Sequence, residues 1–528
     1  MLILQNISYT HPNKNLLFDN LNLTVNHQDK IALIGNNGSG KSTLLKIIAK
    51  ELQPVEGQIN VGSEPYYIPQ IFGQYNHFTI GKALKIEDKL NALQEILNGN
   101  VTEENYALLA DDWTIEERCN DALKYWQLTD LDLSQKMETL SGGQKTKVFL
   151  AGISIHQPEL VLLDEPSNHL DISGRELLYN FIQSTKSTLV VISHDRKLLN
   201  LLNKVCELGK RGITSYGGNY DFYIQQKQIE NNALSKDLQS KEKALRKAKE
   251  KERETAERQQ KLDSRGKGKQ EKSGVSRIMM NTLRNSAENS TSKMKGVHAE
   301  KISGISMELQ ELRSALPDID KIKFGFDNAT LHKGKILFNA TDINYSYNKH
   351  LLWKENLNFQ ITSGERFALK GLNGSGKTTL IKIISGKLEP QTGTIYSAGN
   401  KLVYIDQDYS FINNQLTVYE QAQQFNVSAL QEHEIKMRLN RFLFAKDDWT
   451  KSCSALSGGE KMRLMLCCLT TSNQSPDIII LDEPTNNLDI QNIEILTSAI
   501  NEYQGTLVVV SHDEYFLEQT NIERIIQL

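Results

Sequence analysis

Two glycine-rich segments, each ending in lysine and a hydroxyl residue, are the clearest chemical feature of this 528-residue sequence. The first runs from Gly35 to Ser42 and the second from Gly371 to Thr378. Glycines in such a loop allow a tight turn, so that backbone N–H groups and the next helix N-terminus point at phosphate oxygens. The lysine adds charge at the β and γ phosphates of a nucleotide, and the hydroxyl can hold Mg²⁺. The sequence therefore predicts two phosphate-binding loops.

An acid pair follows each loop further along the chain. Asp164-Glu165 and Asp482-Glu483 each close an apolar run that suits a fully buried parallel strand. The aspartate can reach Mg²⁺ through water, and the glutamate can polarise an attacking water molecule. An isolated acid pair could equally cap a helix, but after a phosphate loop it predicts hydrolysis.

A Ser-Gly-Gly segment precedes a stretch of helical character in each half. The two segments are Leu140-Ser-Gly-Gly-Gln144 and Leu456-Ser-Gly-Gly-Glu460. They place a second set of backbone donors at a helix N-terminus, although one such segment alone would usually be a capped helix start.

These motifs recur in the same order, so the chain is an internal duplication. Each copy alternates strand-like and helix-like runs, which predicts an α/β layered domain. We expect domains at residues 1–219 and 321–528, joined by a linker at 220–320. Between Gln70 and Ser141 the first copy carries about 20 more residues than the second carries between Gln407 and Ser457.

The linker is rich in charged residues and predicts a long antiparallel helical hairpin. Its first helix is expected from about Phe222 to Leu262, which contains no proline or glycine. Its second helix has apolar residues at coiled-coil spacing, namely Ile302, Ile305, Leu309, Leu312 and Leu316. The turn is expected between Ser264 and Ser292, where glycines and serines interrupt a helix. This tip is locally basic, and its basic residues include Arg265, Lys267, Lys269, Lys272, Arg277 and Arg284. These six are candidate contacts to RNA phosphates, and a solvated hairpin surface is the alternative.

Composition excludes several other classes. The net charge of −3 gives no overall attraction to nucleic acid, so any polyanion contact must be local. The five cysteines form no CxxC pair, which argues against a zinc site or a disulfide framework and fits a reducing cytoplasm. We find no signal peptide and no apolar run of membrane-spanning length, so no membrane domain is expected.

The order of loop, glutamine, Ser-Gly-Gly segment, acid pair and Ser-His-Asp resembles the ATP-binding cassette ATPases. Tandem cassettes, a charged helical linker and the segment Gly217-Gly-Asn-Tyr-Asp-Phe-Tyr223 resemble the ABC-F translation factors across essentially the whole chain. The motifs Asp164-Glu-Pro-Ser-Asn-His-Leu-Asp171 and Asp482-Glu-Pro-Thr-Asn-Asn-Leu-Asp489 also resemble that family. Ser167 stands where the family motif usually has threonine, a mild change.

The resemblance implies two tandem P-loop NTPase domains that bind ATP and Mg²⁺ in two composite sites within one monomer. The first site would use Gly35, Asn36, Asn37, Gly38, Ser39, Gly40, Lys41, Ser42, Thr43, Gln70 and Asp164, with Ser457, Gly458, Gly459 and Glu460 from the other cassette. The second would use Gly371, Leu372, Asn373, Gly374, Ser375, Gly376, Lys377, Thr378, Thr379, Gln407 and Asp482, with Ser141, Gly142, Gly143 and Gln144.

Within these sites the resemblance also assigns roles. The catalytic residues would be Glu165 and His194 in the first site, and Glu483 and His512 in the second. The metal would be held by Ser42, Gln70 and Asp164, and by Thr378, Gln407 and Asp482. Because both glutamates and both histidines are present, we expect two hydrolysis-competent sites. Adenine would stack on Tyr347 in the second site. Its counterpart in the first site, His11, is a weaker stacking residue. A solvated loop residue without contact to the base is the alternative interpretation of His11.

As a function, the resemblance implies an ATPase that binds the ribosomal exit-tRNA site, with its linker tip near the P-site tRNA and the peptidyl-transferase centre, in contact with rRNA and tRNA. Antibiotic resistance by ribosomal target protection is the leading hypothesis. Alternatives are a housekeeping factor that relieves stalled ribosomes, the ATPase subunit of a membrane transporter, and a DNA-maintenance ATPase. The extra residues of the first cassette are either a modest ribosome-contacting arm or variation in a helical subdomain.

Overall fold

The computed structural model describes the whole chain apart from residues 12–15, 210–211, 271–291, 293–295, 298, 313–331, 333, 348–349, 373, 428, 473–474 and 487. The chain divides into two compact units, Met1–Asp221 with Lys321–Leu528, and Phe222–Asp320. The first unit contains both cassettes, and each has the predicted α/β architecture. None of the described helices combines the length and the apolarity needed to span a bilayer.

In the first cassette, a parallel sheet brings the ends of several strands to one edge. The strands are β1 Leu2–Thr10, β2 Leu16–Val25, β3 Lys30–Ile34, β4 Glu56–Val61, β5 Tyr66–Ile68, β6 Leu160–Asp164, β7 Thr188–Ile192, β8 Lys204–Gly209 and β9 Gly212–Tyr216. The main sheet has the order β5-β6-β7-β3-β8-β9, and only the β8–β9 pair is antiparallel. All residues of β6 and β7 are buried, as their continuous apolar runs predict. A separate antiparallel sheet, β2-β1-β4, closes the core on one side.

The helices of this cassette follow from local signals in the sequence. They are α1 Lys41–Ile48, α2 Ile80–Ala83, α3 Glu87–Leu97, α4 Glu103–Leu109, α5 Ile115–Tyr125, α6 Gly142–His156, α7 Ile172–Ser184 and α8 Arg196–Asn200. Thr79, Thr102, Ser141, Asp171 and Asp195 each cap the helix that they precede with a side-chain oxygen.

The second cassette repeats this plan. Its strands are β10 Ile336–Asn344, β11 Ser346–Tyr347, β12 His350–Leu351, β13 Leu357–Thr362, β14 Arg366–Lys370, β15 Thr392–Ser397, β16 Leu402–Ile405, β17 Ile478–Asp482, β18 Thr506–Val510 and β19 Arg524–Gln527. The parallel sheet has the order β16-β17-β18-β14-β19, and β13-β10-β15 is the antiparallel sheet. Its helices are α11 Lys377–Ile384, α12 Val418–Gln424, α13 Glu432–Arg441, α14 Gly458–Thr471, α15 Ile490–Glu502 and α16 Glu514–Gln519.

The additional residues of the first cassette form α3 and α4. Between the glutamine and the Ser-Gly-Gly segment, the described residues of the second cassette form α12 and α13, whereas those of the first form α2 to α5. Asp112 holds the inserted pair in place, because its carboxylate accepts hydrogen bonds from Lys89 at 3.1 Å and from Arg118 at 2.8 Å. The insertion is therefore a short helical pair tied to the cassette.

The linker unit contains all but the first two residues of α9 Tyr220–Gln270, and a second helix, α10, at residues 299–312. The two helices contact each other through an ion pair between Lys241 and Glu308, and Leu309 is buried. The prediction that Gly266 and Gly268 interrupt the first helix is wrong, because α9 continues through both glycines to Gln270. The rest of the predicted turn, residues 271–291, lies outside the described residues. A glycine costs a helix only about 1 kcal/mol, which a 51-residue helix tolerates.

The basic tip is therefore only partly within the described structure. Arg265, Lys267 and Lys269 belong to the last turns of α9. Lys272, Arg277 and Arg284 lie outside the described residues, as does Leu316 of the predicted apolar pattern.

Candidate nucleotide-binding sites

The first glycine-rich loop connects β3 to α1. Gly40 has a φ of 94°, and a Cβ there would come within 2.8 Å of the Leu17 side chain, so only glycine suits this position. Lys41 is buried, and its ammonium group donates to the carbonyl oxygens of Gly35 at 2.8 Å and Asn36 at 3.1 Å. The loop thus encloses a buried positive charge at the N-terminus of α1, which is an arrangement that binds phosphate.

The second loop has the same construction between β14 and α11. Gly376 has a φ of 96°, and Lys377 donates to the carbonyl oxygens of Gly371 at 2.7 Å and Leu372 at 3.1 Å. The indole of Trp353 supports the loop by donating to the Ser375 carbonyl at 3.0 Å. Asn373 lies outside the described residues.

The two aspartates of the acid pairs lie at the carboxyl ends of β6 and β17. Asp164 accepts a hydrogen bond from the Tyr67 hydroxyl at 3.4 Å, and Asp482 accepts one from Tyr404 at 2.8 Å. Burial raises the pKa of both carboxyls, and a hydrogen bond from Ser42 opposes the rise at Asp164. Sequence reasoning missed the two tyrosines, which come three residues before Gln70 and Gln407.

The oxygen atoms around Asp164 fit a hard cation. Its Oδ1 is buried and accepts no hydrogen bond from the described residues, and Ser42 and Gln70 line the same cavity. No group of three or more His, Cys, Asp or Glu side chains in the described parts of the chain could hold a metal by itself. A cation here would therefore need oxygen ligands from a bound phosphate as well.

The glutamate of each acid pair occupies a left-handed backbone conformation. Glu165 has a φ of 53° and Glu483 one of 49°, which is uncommon for residues with a side chain. Backbone hydrogen bonds to the neighbouring strand hold them there, from Glu165 to Ile192 at 2.9 Å and from Glu483 to Val510 at 2.8 Å. The strained turn fixes where each carboxyl group points.

A histidine in the loop after the next strand faces each glutamate. The Nε2 of His194 lies 3.3 Å from Glu165 Oε1, and that of His512 lies 3.5 Å from Glu483 Oε1. Burial raises the pKa of Glu165 to about 8 and that of Glu483 to about 7. It lowers the pKa of His194 to about 3 and that of His512 to about 4. The imidazoles are thus neutral at pH 7. The pKa values of the two carboxyls lie near neutral pH, which is the range that suits a general base.

The second cassette contributes to the wall of the first site. A cavity of about 360 Å³ is lined by the first loop, Gln70, Asp164, Glu165 and His194, and also by Ser457. Asp489 reaches the loop itself, because its Oδ2 accepts a hydrogen bond from the backbone N–H of Asn37 at 2.8 Å. The structure therefore brings residues of both cassettes together at one phosphate-binding loop.

The second site shows the corresponding approach of the first cassette. Burial lowers the pKa of Lys377, and the charge of Asp171 in the first cassette opposes that shift. Burial likewise raises the pKa of Glu483, and the charge of Arg175 opposes it. Ser141 caps α6 together with Gln144. Gly142 and Gly143 pack on His169 of their own cassette, where a Cβ on Gly143 would lie 2.7 Å from the His169 carbonyl oxygen.

The two candidate adenine-stacking residues differ in their surroundings. Tyr347 is 51% exposed, and its hydroxyl lies 3.3 Å from that of Thr379. His11 lines the cavity of the first site and packs edge-on against Tyr9. An adenine contact at either residue stays a prediction.

Sequence reasoning did not single out Asp171, Arg175 and Asp489 as site residues. Asp171 and Asp489 each end the short motif that begins with an acid pair, so their repeated position could have identified them as site residues. Arg175 has no counterpart in the second cassette, where the position four residues after Asp489 is Ile493.

Comparisons with known proteins are consistent with this geometry. A family model described as "ABC transporter" matches residues 18–168 and 354–486. "Putative ATP-binding protein YdiF" of Bacillus subtilis is 32% identical over 95% of this chain and 76% of that protein. "ATP-binding protein Uup" of Escherichia coli is 30% identical over 96% of the chain and 77% of that protein.

A plant relative and a solved structure extend the similarity over nearly the whole chain. "ABC transporter F family member 5" of Arabidopsis thaliana is 28% identical over 99% of this chain and 74% of that protein. The solved structure titled "RNase-L Inhibitor" has a TM-score of 0.61 and 19% identity, covering 99% of this chain and 87% of its own. The latter similarity concerns the fold.

Proposed function

Because the chain belongs to the ABC-F family of ATP-binding cassette proteins and hydrolyses ATP, we propose that it is an ATP-dependent, ribosome-binding factor that works as a monomer in the cytoplasm. The observation that carries the proposal is the approach of Ser457 and Asp489 to the first phosphate loop. Nucleotide bound there contacts both cassettes, so its γ-phosphate holds them together and its hydrolysis releases them.

We assign the steps of ATP binding and hydrolysis to residues of the two nucleotide sites. Lys41 exchanges its contacts with loop carbonyls for phosphate oxygens, and the amides at the start of α1 bind the same phosphate. Glu165 accepts the proton of the attacking water, and His194 beside it stays neutral. Ser42, Gln70 and Asp164 would hold Mg²⁺, as would Thr378, Gln407 and Asp482. Such an ion supplies charge neutralisation at the phosphates.

Ribosome binding is supported by the linker and by related folds. Two solved structures with this fold are titled "Model of ribosome-bound archaeal Pelota and ABCE1" and "Crystal structure of the complex of archaeal ribosomal stalk protein aP1 and archaeal ribosome recycling factor aABCE1.". In this chain, lysines and arginines cluster at the end of the long helix α9, where they can neutralise RNA phosphates without reading sequence. We place the cassettes at the exit-tRNA site and the tip near the P-site tRNA and the peptidyl-transferase centre.

A trapped variant tests ribosome binding. Glu165→Gln with Glu483→Gln removes both general bases and should hold the ATP-bound, closed state. With ATP, this variant should sediment with ribosomes, whereas Lys41→Ala with Lys377→Ala should stay in the supernatant because it lacks both phosphate-binding charges. Recovery of the trapped variant only in the supernatant would contradict ribosome binding.

Antibiotic resistance by ribosomal target protection is the specific role that we propose for the tip. Expression should then raise the inhibitory concentration of at least one class among macrolides, lincosamides, pleuromutilins and phenicols. Replacing Arg265, Lys267 and Lys269 by glutamine should abolish that effect. A factor that relieves stalled ribosomes would instead bind them without changing any inhibitory concentration, and co-purification with an integral membrane protein would favour a transporter subunit.

A further inference from the structure

Helix α8 begins two residues after His194 of the first cassette. Asp195 separates His194 from the helix and caps it, because its Oδ1 accepts from the N–H groups of Lys197 at 3.0 Å and Leu198 at 3.2 Å. The other carboxylate oxygen accepts from the Tyr179 hydroxyl at 2.5 Å. Since α8 is anchored at this end, a displacement of the His194 loop displaces the helix with it.

The first residue of α8 holds the second cassette. The guanidinium of Arg196 lies 3.3 Å from Glu494 Oε1 in α15 and 3.9 Å from the ring centroid of Tyr515 in α16. The Arg196 side chain is 13% exposed and that of Glu494 is 38% exposed, so water screens this ion pair in part. Arg196 also lines a cavity of about 350 Å³ between the cassettes.

The last residue of α8 contacts the start of the linker helix. The Asn200 amide donates to Asp221 Oδ1 at 3.0 Å, and the Asp221 backbone N–H donates to Asn200 Oδ1 at 2.9 Å. Asp221 is the second residue of α9, and the buried ring of Tyr220, the first, lies 5.9 Å from the Arg196 guanidinium. This one short helix therefore contacts a catalytic loop, the second cassette and the base of the linker.

The corresponding helix of the second cassette differs in charge. Glu514 in α16 occupies the place of Arg196 after its histidine, and Glu176 in α7 occupies that of Glu494. A cross-cassette pair at those positions would consist of two acids, which repel each other. The attractive ion pair thus uses the arginine of the first cassette, which is the cassette that continues into the linker.

We propose that α8 transmits closure of the cassettes around ATP to the first turns of the linker helix, with Arg196 and Asn200 as its positioning residues. When the second cassette moves, its contacts from Glu494 and Tyr515 to Arg196 displace α8. The hydrogen bonds between Asn200 and Asp221 then displace the start of α9. The inference rests on the ATPase part of the proposed function and is independent of ribosome binding.

Hydrogen exchange in the full-length protein tests this coupling. In the Glu165→Gln, Glu483→Gln background, ATP should slow exchange of backbone amides in residues 220–230. Asn200→Ala should reduce the protection gained from ATP by about tenfold, the equivalent of ~1.4 kcal/mol, because both hydrogen bonds to Asp221 are lost. Arg196→Met should act similarly, and combining Arg196→Glu with Glu494→Arg should restore the response. ATP binding, measured separately, should persist in Asn200→Ala.

Lys197→Met is the matched control, since it removes one positive charge from the same helix at a residue that packs on Tyr179 of its own cassette. It should keep the full ATP response. Equal responses in Asn200→Ala and Lys197→Met would overturn the proposal, as would the absence of any response at residues 220–230 in a background protein that binds ATP. If Arg196→Met does not fold, Asn200→Ala alone decides, because Asn200 is partly exposed.

Discussion

Replacing the buried glutamate of the second site should stabilise the nucleotide-free protein in a pH-dependent way. The Glu483 side chain is 16% exposed. Burial raises its pKa from 4.5 to about 7, against the opposing charge of Arg175. Since one pKa unit corresponds to ~1.4 kcal/mol, ionising this carboxyl costs the folded state about 3 kcal/mol. Glu483→Gln removes that cost.

The sign follows from where the proton is lost. The unfolded chain loses it near pH 4.5, whereas the folded protein keeps it until about pH 7. Between these values the folded state binds more protons, so wild-type stability falls as the pH rises. Glutamine does not ionise, so the advantage of Glu483→Gln is absent below pH 4.5, grows up to pH 7 and is constant above.

Thermal unfolding of the nucleotide-free protein measures the effect. For a domain of about 200 residues, 1 kcal/mol shifts the midpoint by ~3 °C, so Glu483→Gln should unfold roughly 10 °C higher at pH 8 and much closer to wild type at pH 5. Glu389→Gln is the control, because Glu389 is an exposed glutamate of the same cassette. Equal midpoints at pH 8, or a gain that does not change with pH, would refute the reasoning.

Three further predictions concern turnover. The ATP hydrolysis rate should rise between about pH 6 and 8, since the catalytic glutamates act when deprotonated and their pKa values are about 7 and 8; a flat rate profile would contradict this. Asp489→Asn keeps the helix cap but loses the acceptor for the Asn37 N–H, so KM for ATP should rise about tenfold. Tyr404→Phe removes the donor that orients Asp482, so half-maximal activity should need about tenfold more Mg²⁺, as a magnesium titration would show.

Much of each nucleotide site could be predicted because the chemistry depends on local spacing. A phosphate loop needs its glycines, lysine and hydroxyl within eight consecutive positions, as from Gly35 to Ser42. The acid pairs follow apolar runs whose buried parallel strands end at the same sheet edge. The phosphate loop and the acid pair can both be recognised in a single sequence, because each depends only on neighbouring residues.

Contacts between the cassettes could not be predicted in the same way. Asn37 and Asp489 are 452 positions apart, and Arg196 and Glu494 are 298 apart. No periodicity links such residues, because their proximity results from how two finished domains face each other. The end of α9 was mispredicted for a different reason, since glycine weakens a helix by less than the helix as a whole can tolerate.

The repeat also conceals a chemical difference between the two sites. Ser457 donates its hydroxyl hydrogen to Glu460 at 2.7 Å, and Lys451 contacts the same carboxylate at 2.9 Å. In the first cassette, Ser141 instead faces the neutral amide of Gln144, whose oxygen accepts the Ser141 backbone N–H at 2.9 Å. A phosphate beside Ser457 therefore meets a hydroxyl already bonded to an acid, with Lys451 offsetting that charge. Equal motifs thus give two sites with different local electrostatics, so hydrolysis rates at the two sites need not be equal.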